Sequence, residues 1–353
     1  MNLLYSFIFF SFSIGMAVPF IAVHLGAGKH SISNERKLKK LIKDCCRVCM
    51  EMLDHGQSSR QVSVIGCKIL EDSVLTNAGR GSQLNFDGEV ECDAAIMESS
   101  QLLGASVGAI QGVTNPIQVA DHLIQDLLEG STDVIGRLKP IMLVGRGAEN
   151  YAKRKGVQTE QDLVSKQSLA YYLAWKKAYE EALEEDLNDI GIIQDTLGII
   201  CGDSSGIVTV STSSGGTTLK VPGRVGPAAL LRVGLDITTD ENNIYSICVS
   251  GTGEDIIQSQ LAENLCVRLF SEESIGEFLS QLNAKYTFQH HPLYFGALGV
   301  NVDQEGCIHL VYSHTTEAFA VGYQFGGTKP TAVISRNPSQ RLVMGGSFFR
   351  PKT

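Results

Sequence analysis

Asp195-Thr196-Leu197-Gly198-Ile199-Ile200 sets a threonine at the head of an apolar, β-branched run. Leu197 to Cys201 reads as a buried strand and Ile207 to Thr212 as its partner, with Asp203-Ser204-Ser205-Gly206 as the hairpin turn between them. The preceding stretch, Tyr151 to Asp195, carries Glu180, Glu181, Glu184, Glu185, Asp186 and Asp189. It reads as a helix over Tyr171 to Leu187 and then a mobile acidic tail, with no strand before Thr196. A threonine opening a buried strand just after such a tail is the pattern of a nucleophile exposed by chain cleavage. A threonine hydroxyl needs a base, and an N-terminal threonine carries its own, the α-amino group with a free pKa of about 7.7–8.0. From these residues alone, an ordinary strand threonine is the competing reading, because threonine is common in strands.

Outward from this junction, strands and helices mix in both halves. Phe20 to His24 reads as a buried strand running into Gly26-Ala27-Gly28, a turn that a partner group can approach closely. It is no P-loop, since His30 follows Gly28-Lys29 and Val23 stands where the earlier glycine is needed. Leu38, Leu41, Ile42, Cys45, Val48, Cys49 and Met52 recur at helical spacing and predict an amphipathic helix over Lys37 to Leu53. Val62 to Gly81 reads as a strand–turn region, Glu91 to Met97 as a strand and Ile141 to Val144 as another. Pro116 suits the first position of a helix reaching about Leu128.

In the second half, Ile244 to Val249 reads as a strand. Ile256, Ile257, Leu261, Leu265, Leu269 and Phe270 line one helix face, and a second helix covers Glu273 to Lys285. Gly296 to Val302 and Ile308 to Ser313 form a hairpin around Gln304-Glu305-Gly306, and Phe319 to Gln324 adds a strand. Hairpins in place of regular βαβ units predict an α+β fold with antiparallel sheets.

The 353 residues are 43% hydrophobic and 19% charged, which excludes a disordered, collagenous or coiled-coil chain. A net charge of −9 argues against nucleic-acid binding. The basic groups Arg36, Lys37, Lys39, Lys40 and Lys153-Arg154-Lys155 are short and read as solvated faces. Nine cysteines, an odd number with one isolated Cys46-x-x-Cys49, lie mostly in apolar periodic segments. They read as core residues, with no metal and no cofactor expected, and favour a reducing compartment. The apolar stretch Met1 to Ile14 complicates this. It is either a secretory signal lacking its basic n-region or an upstream extension before a start at Met16. It is too interrupted by Ser11, Ser13, Gly15 and Pro19 for a membrane span. The domain reading is therefore an apolar extension over 1–17 and one domain over 18–353.

Five further motifs stand in register with Asp195-Thr196-x-Gly198: Ser213-Ser214-Gly215-Gly216, Pro222-Gly223-Arg224-Val225-Gly226, Ser250-Gly251-Thr252-Gly253-Glu254, Asn77-Ala78-Gly79-Arg80-Gly81 and Val23-His24-Leu25-Gly26-Ala27-Gly28. Together with Glu91-Cys92-Asp93-Ala94, this set resembles the plant-type asparaginase family of N-terminal-nucleophile hydrolases over nearly all of Val18 to Gly322. Gly28-Lys29-His30-Ser31 and Ser313-His314-Thr315-Thr316-Glu317 are most similar to its threonine-aspartase branch, the taspases. The resemblance implies an αββα sandwich and a precursor that cleaves itself between Asp195 and Thr196 into two subunits held as an αβ heterodimer. It implies Thr196 as nucleophile, Ser214 as a tuning hydroxyl, Ser250 and Gly251 as the oxyanion hole, Asn77 as a nearby holding group and Gly28 in the turn beside the site. Gly253 joins the substrate-binding turns. Turn-capping and loop-holding remain the plain alternatives for Asn77 and Ser214.

Arg224 matches the family arginine that grips a substrate carboxylate with two parallel hydrogen bonds. Small-molecule asparaginases follow it with Val-Gly-Asp, whose aspartate anchors the free ammonium of an amino acid. Pro227 stands at that place in this chain. The departure points to an endopeptidase cutting proteins after Asp. Arg36 is a second candidate for the carboxylate pocket, with a plain surface charge as the alternative. By resemblance the substrates are nuclear regulatory proteins and the setting nuclear or cytoplasmic, with the secretory pathway as the alternative if the N-terminus is a signal. An L-asparaginase or isoaspartyl peptidase, a glycosylasparaginase and a non-catalytic scaffold are the competing functions.

Overall fold

The computed structural model describes residues 17–160, 162–181, 196–271, 275–286 and 293–351. Its first strand, β1 (Phe20–Gly28), is buried along its whole length. Alternation explains the layering: Ile21, Val23 and Leu25 face one core, while Phe20, Ala22 and Ala27 face another. The strands that follow are β2 (Cys92–Glu98), β3 (Leu103–Ile110), β4 (Met142–Val144), β5 (Leu197–Gly202), β6 (Val208–Ser214), β7 (Leu235–Thr239), β8 (Asn243–Gly251), β9 (Phe295–Asp303), β10 (Ile308–His314), β11 (Ala318–Phe325), β12 (Thr331–Arg336) and β13 (Val343–Phe349). The helices are α1 (Glu35–Asp54), α2 (Ser59–Glu71), α3 (Pro116–Leu128), α4 (Gly145–Arg154), α5 (Lys166–Glu181), α6 (Gly253–Ser259), α7 (Leu261–Cys266) and α8 (Ile275–Lys285).

One sheet has eight strands in the order β12-β11-β1-β5-β6-β2-β3-β4 and the other five in the order β13-β10-β9-β8-β7. Every pairing between named strands is antiparallel except β3 with β4. Helices α1, α2 and α3 cover the outer face of the large sheet through Leu38, Ile42, Cys49, Val62, Cys67, Leu70, Ile117 and Leu123. The inner faces meet through residues such as Ala95, Ile200, Val210, Cys248, Leu298 and Val300. Helices α6, α7 and α8 cover the small sheet through Ile256, Leu261, Leu265, Phe278 and Leu282. The layers are therefore helix, sheet, sheet, helix. Each fully buried Leu, Ile or Phe contributes about 1.5–3 kcal/mol relative to exposure, which is why both faces of the central strands read as apolar.

Val62 to Gly81 corrects the strand–turn expectation, because Ser59–Glu71 is helical. Val62, Val64, Ile65 and Ile69 favour strands by composition. The Ser58–Gln61 capping box and the burial of Val62, Gly66, Cys67 and Leu70 against α1 and the sheet decide for helix. The helix expected across Ile256 to Phe270 is broken at Gln260, whose φ of 48° is left-handed. The helix expected over Tyr171 to Leu187 begins earlier, at Lys166, and its continuation beyond Glu181 lies outside the described residues, as does Asp195. The apolar stretch 1–16 also lies outside them, and no described helix is long and apolar enough to cross a membrane. All nine cysteines are buried free thiols.

Candidate active site

Strand β5 begins opposite Ser213 at the end of β6, and its pairing with β1 stops at His24–Gly198, so Thr196 lies just beyond the last pair of both ladders. Across the sandwich, the C-terminal end of β8 supplies Ser250 and Gly251. The Thr196 backbone N–H donates to Ser250 Oγ at 3.3 Å, and the Ala27 N–H donates to the same oxygen at 3.1 Å. Ser250 is fully buried and Thr196 nearly so. Gly251 has φ +139°, and a Cβ there would lie 2.2 Å from the Tyr294 carbonyl oxygen, so only glycine lets β8 finish at the cleft.

Thr196, Ser214, Gly216, Thr217, Arg224, Gly226, Pro227, Ala228, Gly251 and Gly253 line one narrow cleft. Its free space is about 10 Å³, roughly the room for one water. Ser214 Oγ accepts the Gly216 N–H at 3.0 Å, which leaves the hydroxyl proton free to be donated. Asn77 lies behind this wall. Its Nδ2 donates to the Gly216 carbonyl at 2.7 Å, its Oδ1 accepts the Gln83 N–H at 2.8 Å, and its carbonyl accepts the Gly215 N–H at 2.8 Å. Gly28 closes β1 opposite Ala318 and does not line the cleft.

Arg224 reaches the cleft with only 16% of its side chain exposed. Its Nε donates to Glu254 Oε1 at 2.9 Å, and Nη2 lies 2.9 Å from the same oxygen. The loop that carries it is pinned by two carboxylates from the β2 region. Glu91 accepts the Gly223 N–H with both oxygens, at 3.1 and 3.0 Å. Asp93 accepts the Gly226 N–H at 2.7 Å and the Ala109 N–H at 2.9 Å. Burial pushes the Asp93 carboxyl up, against the pull of Lys220, the two N–H groups and Arg224. Lys220 is itself buried and donates to the Glu91 carbonyl at 2.8 Å.

Sequence reasoning missed Glu254, Asp93, Lys220 and Glu91 as parts of the site. For Asp93, Lys220 and Glu91 the missing information is burial, since charged residues are rarely fully buried unless paired and only packing shows which ones are; Glu254 is half exposed and joins the site only through its contact with Arg224. It also missed His24, a fully buried imidazole opposite Gly198 in the β1–β5 register. A Cβ on Gly198 would lie 2.2 Å from His24 Nε2, which accounts for the glycine two residues after Thr196. Burial pushes His24 down to about 3, opposed by a hydrogen bond with the Thr196 backbone. Arg36 is not brought to the cleft. It is exposed on α1, lining an open depression with Lys39, Lys40 and Lys43. Among the described residues no His, Cys, Asp or Glu cluster is arranged to hold a metal ion.

A helix–sheet–sheet–helix sandwich with a threonine at the head of a central strand, ringed by hydroxyls and glycine turns, defines an N-terminal-nucleophile hydrolase. The chain belongs to the family whose profile is described as Asparaginase, which matches residues 17–334. It is 28% identical to an isoaspartyl peptidase of Escherichia coli (strain K12), over 94% of this chain and 99% of that protein. It is 32% identical to an isoaspartyl peptidase/L-asparaginase of Bos taurus, over 73% of this chain and 79% of that protein. It is also 32% identical to a plant-type L-asparaginase of Pyrococcus horikoshii, over 69% and 77% of the two chains.

Proposed function

We propose that this chain is a threonine endopeptidase of the taspase type, which cuts itself between Asp195 and Thr196 and then cuts protein substrates after aspartate. In this reading the Thr196 hydroxyl attacks the Asp195 carbonyl, the acyl group shifts from nitrogen to oxygen, and water hydrolyses the ester. That leaves an Asp195 carboxylate and a free Thr196 amine. The amine then serves as base for each later attack and returns its proton to the leaving amine. The Ser250 hydroxyl and the Gly251 N–H stabilise the oxyanion, and Ser214 tunes the nucleophile. The chains 1–195 and 196–353 stay together through their shared cores, and the partners are proteins that present an exposed aspartate.

The observation that carries the endopeptidase reading is Pro227, which lines the cleft beside Arg224 at the place where small-molecule asparaginases keep an aspartate for the substrate ammonium. A proline has no charge to offer an ammonium, whereas a peptide substrate presents an amide there. The second reading is an isoaspartyl peptidase or L-asparaginase, favoured by the names of the relatives.

One set of assays separates the two. The purified chain should appear on a denaturing gel as two fragments, the smaller beginning Thr-Leu-Gly-Ile-Ile, and Thr196→Ala should stay whole. The processed enzyme should cleave an Asp-Gly-containing peptide faster than a β-aspartyl dipeptide or free asparagine. Faster turnover of the two small substrates would establish the second reading, and an intact wild-type chain would remove the mechanism common to both.

A further inference from the structure

The Arg224 guanidinium has two edges that can hold a carboxylate side-on or end-on, and Glu254 already occupies one. Its Oε1 sits 2.9 Å from both Nε and Nη2, on the Nε side of the fork. Nη2 is buried yet has no well-aligned hydrogen-bond acceptor among the described residues. Around the other edge, three glycines let the backbone close in on the guanidinium. A Cβ on Gly253 would lie 2.3 Å from Nη2, one on Gly226 2.6 Å from Nη1, and one on Gly216 3.4 Å from Nη1. All three glycines line the cleft that holds Thr196, whereas Glu254 does not and is half exposed at its rim.

We infer that Glu254 is the positioning residue for Arg224: it holds the Nε edge and turns the Nη1–Nη2 fork toward Thr196, so that the site accepts one substrate carboxylate end-on. The inference rests on the reading of Arg224 as the group that recognises aspartate. An arginine side chain has several rotatable bonds, and an unanchored one loses more freedom on binding than one already held. Glu254 removes that loss before substrate arrives. By filling the side edge it also keeps a second carboxylate from binding there.

The test compares wild type, Glu254→Gln and Glu254→Ala on an Asp-Gly-containing peptide and on the matching Asn-Gly peptide, which lacks the carboxylate. Wild type should prefer the Asp peptide. Glu254→Ala should raise KM for that peptide by about tenfold with kcat nearly unchanged, and lower the Asp-over-Asn preference by a similar factor. Glu254→Gln retains an oxygen acceptor for Nε and should recover most of the preference. Thermal unfolding of the three proteins controls for folding, because a merely structural loss would lower turnover of both peptides together. A wild-type Asp preference that survives Glu254→Ala, or one that grows because a competing carboxylate has been removed, overturns the positioning role alone. A wild-type enzyme with no Asp preference overturns the reading of Arg224, and the inference with it.

Discussion

The Thr196 backbone nitrogen lies 3.3 Å from Ser250 Oγ, so a residue 54 positions away holds the atom that chain cleavage would convert into an amine. The same hydroxyl oxygen takes the Ala27 N–H, which ties three strands from two sheets to one point. Ser250→Ala removes the shared acceptor without changing the backbone. We expect kcat to fall roughly a hundred- to a thousandfold, the range for loss of one preorganised hydroxyl at a reacting centre. Steady-state kinetics on processed enzyme would check this, and a variant within threefold of wild type would show that Ser250 only braces the strands.

Gly253 opens α6 in a helical position where alanine is intrinsically favoured. A Cβ there would nevertheless stand 2.3 Å from Arg224 Nη2 and 3.1 Å from Pro227 Cδ. Gly253→Ala should therefore displace the guanidinium while leaving stability within about 1 kcal/mol of wild type. KM should rise about tenfold for a carboxylate-bearing substrate, with little change for its amide counterpart. Kinetics paired with thermal melts would separate this from a folding defect.

Asn77 combines three buried hydrogen bonds that fix Gly215, Gly216 and Gln83. In Asn77→Ala the carbonyl of Gly216 and the N–H of Gln83 lose their side-chain partners. At about 1–3 kcal/mol for each stranded group, the expected cost is roughly 2–6 kcal/mol. Denaturant titration would measure it. Turnover should fall in step, since the displaced Gly215-Gly216 turn is a wall of the cleft.

Glu71, at the end of α2, is fully buried and accepts the Ser213 hydroxyl at 2.7 Å and the Ile117 N–H at 3.3 Å. Burial pushes its carboxyl up to about 8, against the lowering pull of Ser213, Ile117 and Asn115. Between the ordinary carboxylate value of 4.5 and about 8, the folded chain keeps a proton that the unfolded chain has released. Stability contributed by this group must therefore fall as pH rises through that window, by at most about 1.4 kcal/mol per pH unit. Glu71→Gln should flatten the slope and be the more stable protein at pH 8, as read from melting temperatures across pH 5–9 (roughly the window and its margins). His24 acts at the other end. Its value of about 3 means that the unfolded chain alone gains a proton as pH drops from 6.5, so stability falls toward acid.

Several parts of this protein were legible without coordinates because they depend on neighbours in the chain. The apolar runs Phe20 to His24 and Leu197 to Cys201 predict buried strands, and β1 and β5 are buried along their length. The 3.6-residue spacing from Leu38 to Met52 predicts α1, and Pro116 marks the start of α3. Thr196, Ser214, Ser250, Gly251 and Arg224 were each placed by motif, and the fold brings them to the ends of β5, β6 and β8 and to the loop between β6 and β7. Val62 to Glu71 misled because β-branched residues carry a strand preference that burial against α1 overrides.

The residue types gathered at the candidate site and the periods that make a layered α+β fold are written in the chain, since both follow from local chemistry and local spacing. Only the tertiary structure decided which charges meet. It set Glu254 against Arg224, buried Asp93 beneath the Arg224 loop, put Pro227 on the cleft wall and left Arg36 outside on α1. These relationships join residues separated by 30 to 223 positions, as with Arg224 and Glu254 or Ala27 and Ser250. Such pairs are fixed by how the layers pack, and nothing in the covalent spacing between them encodes the contact.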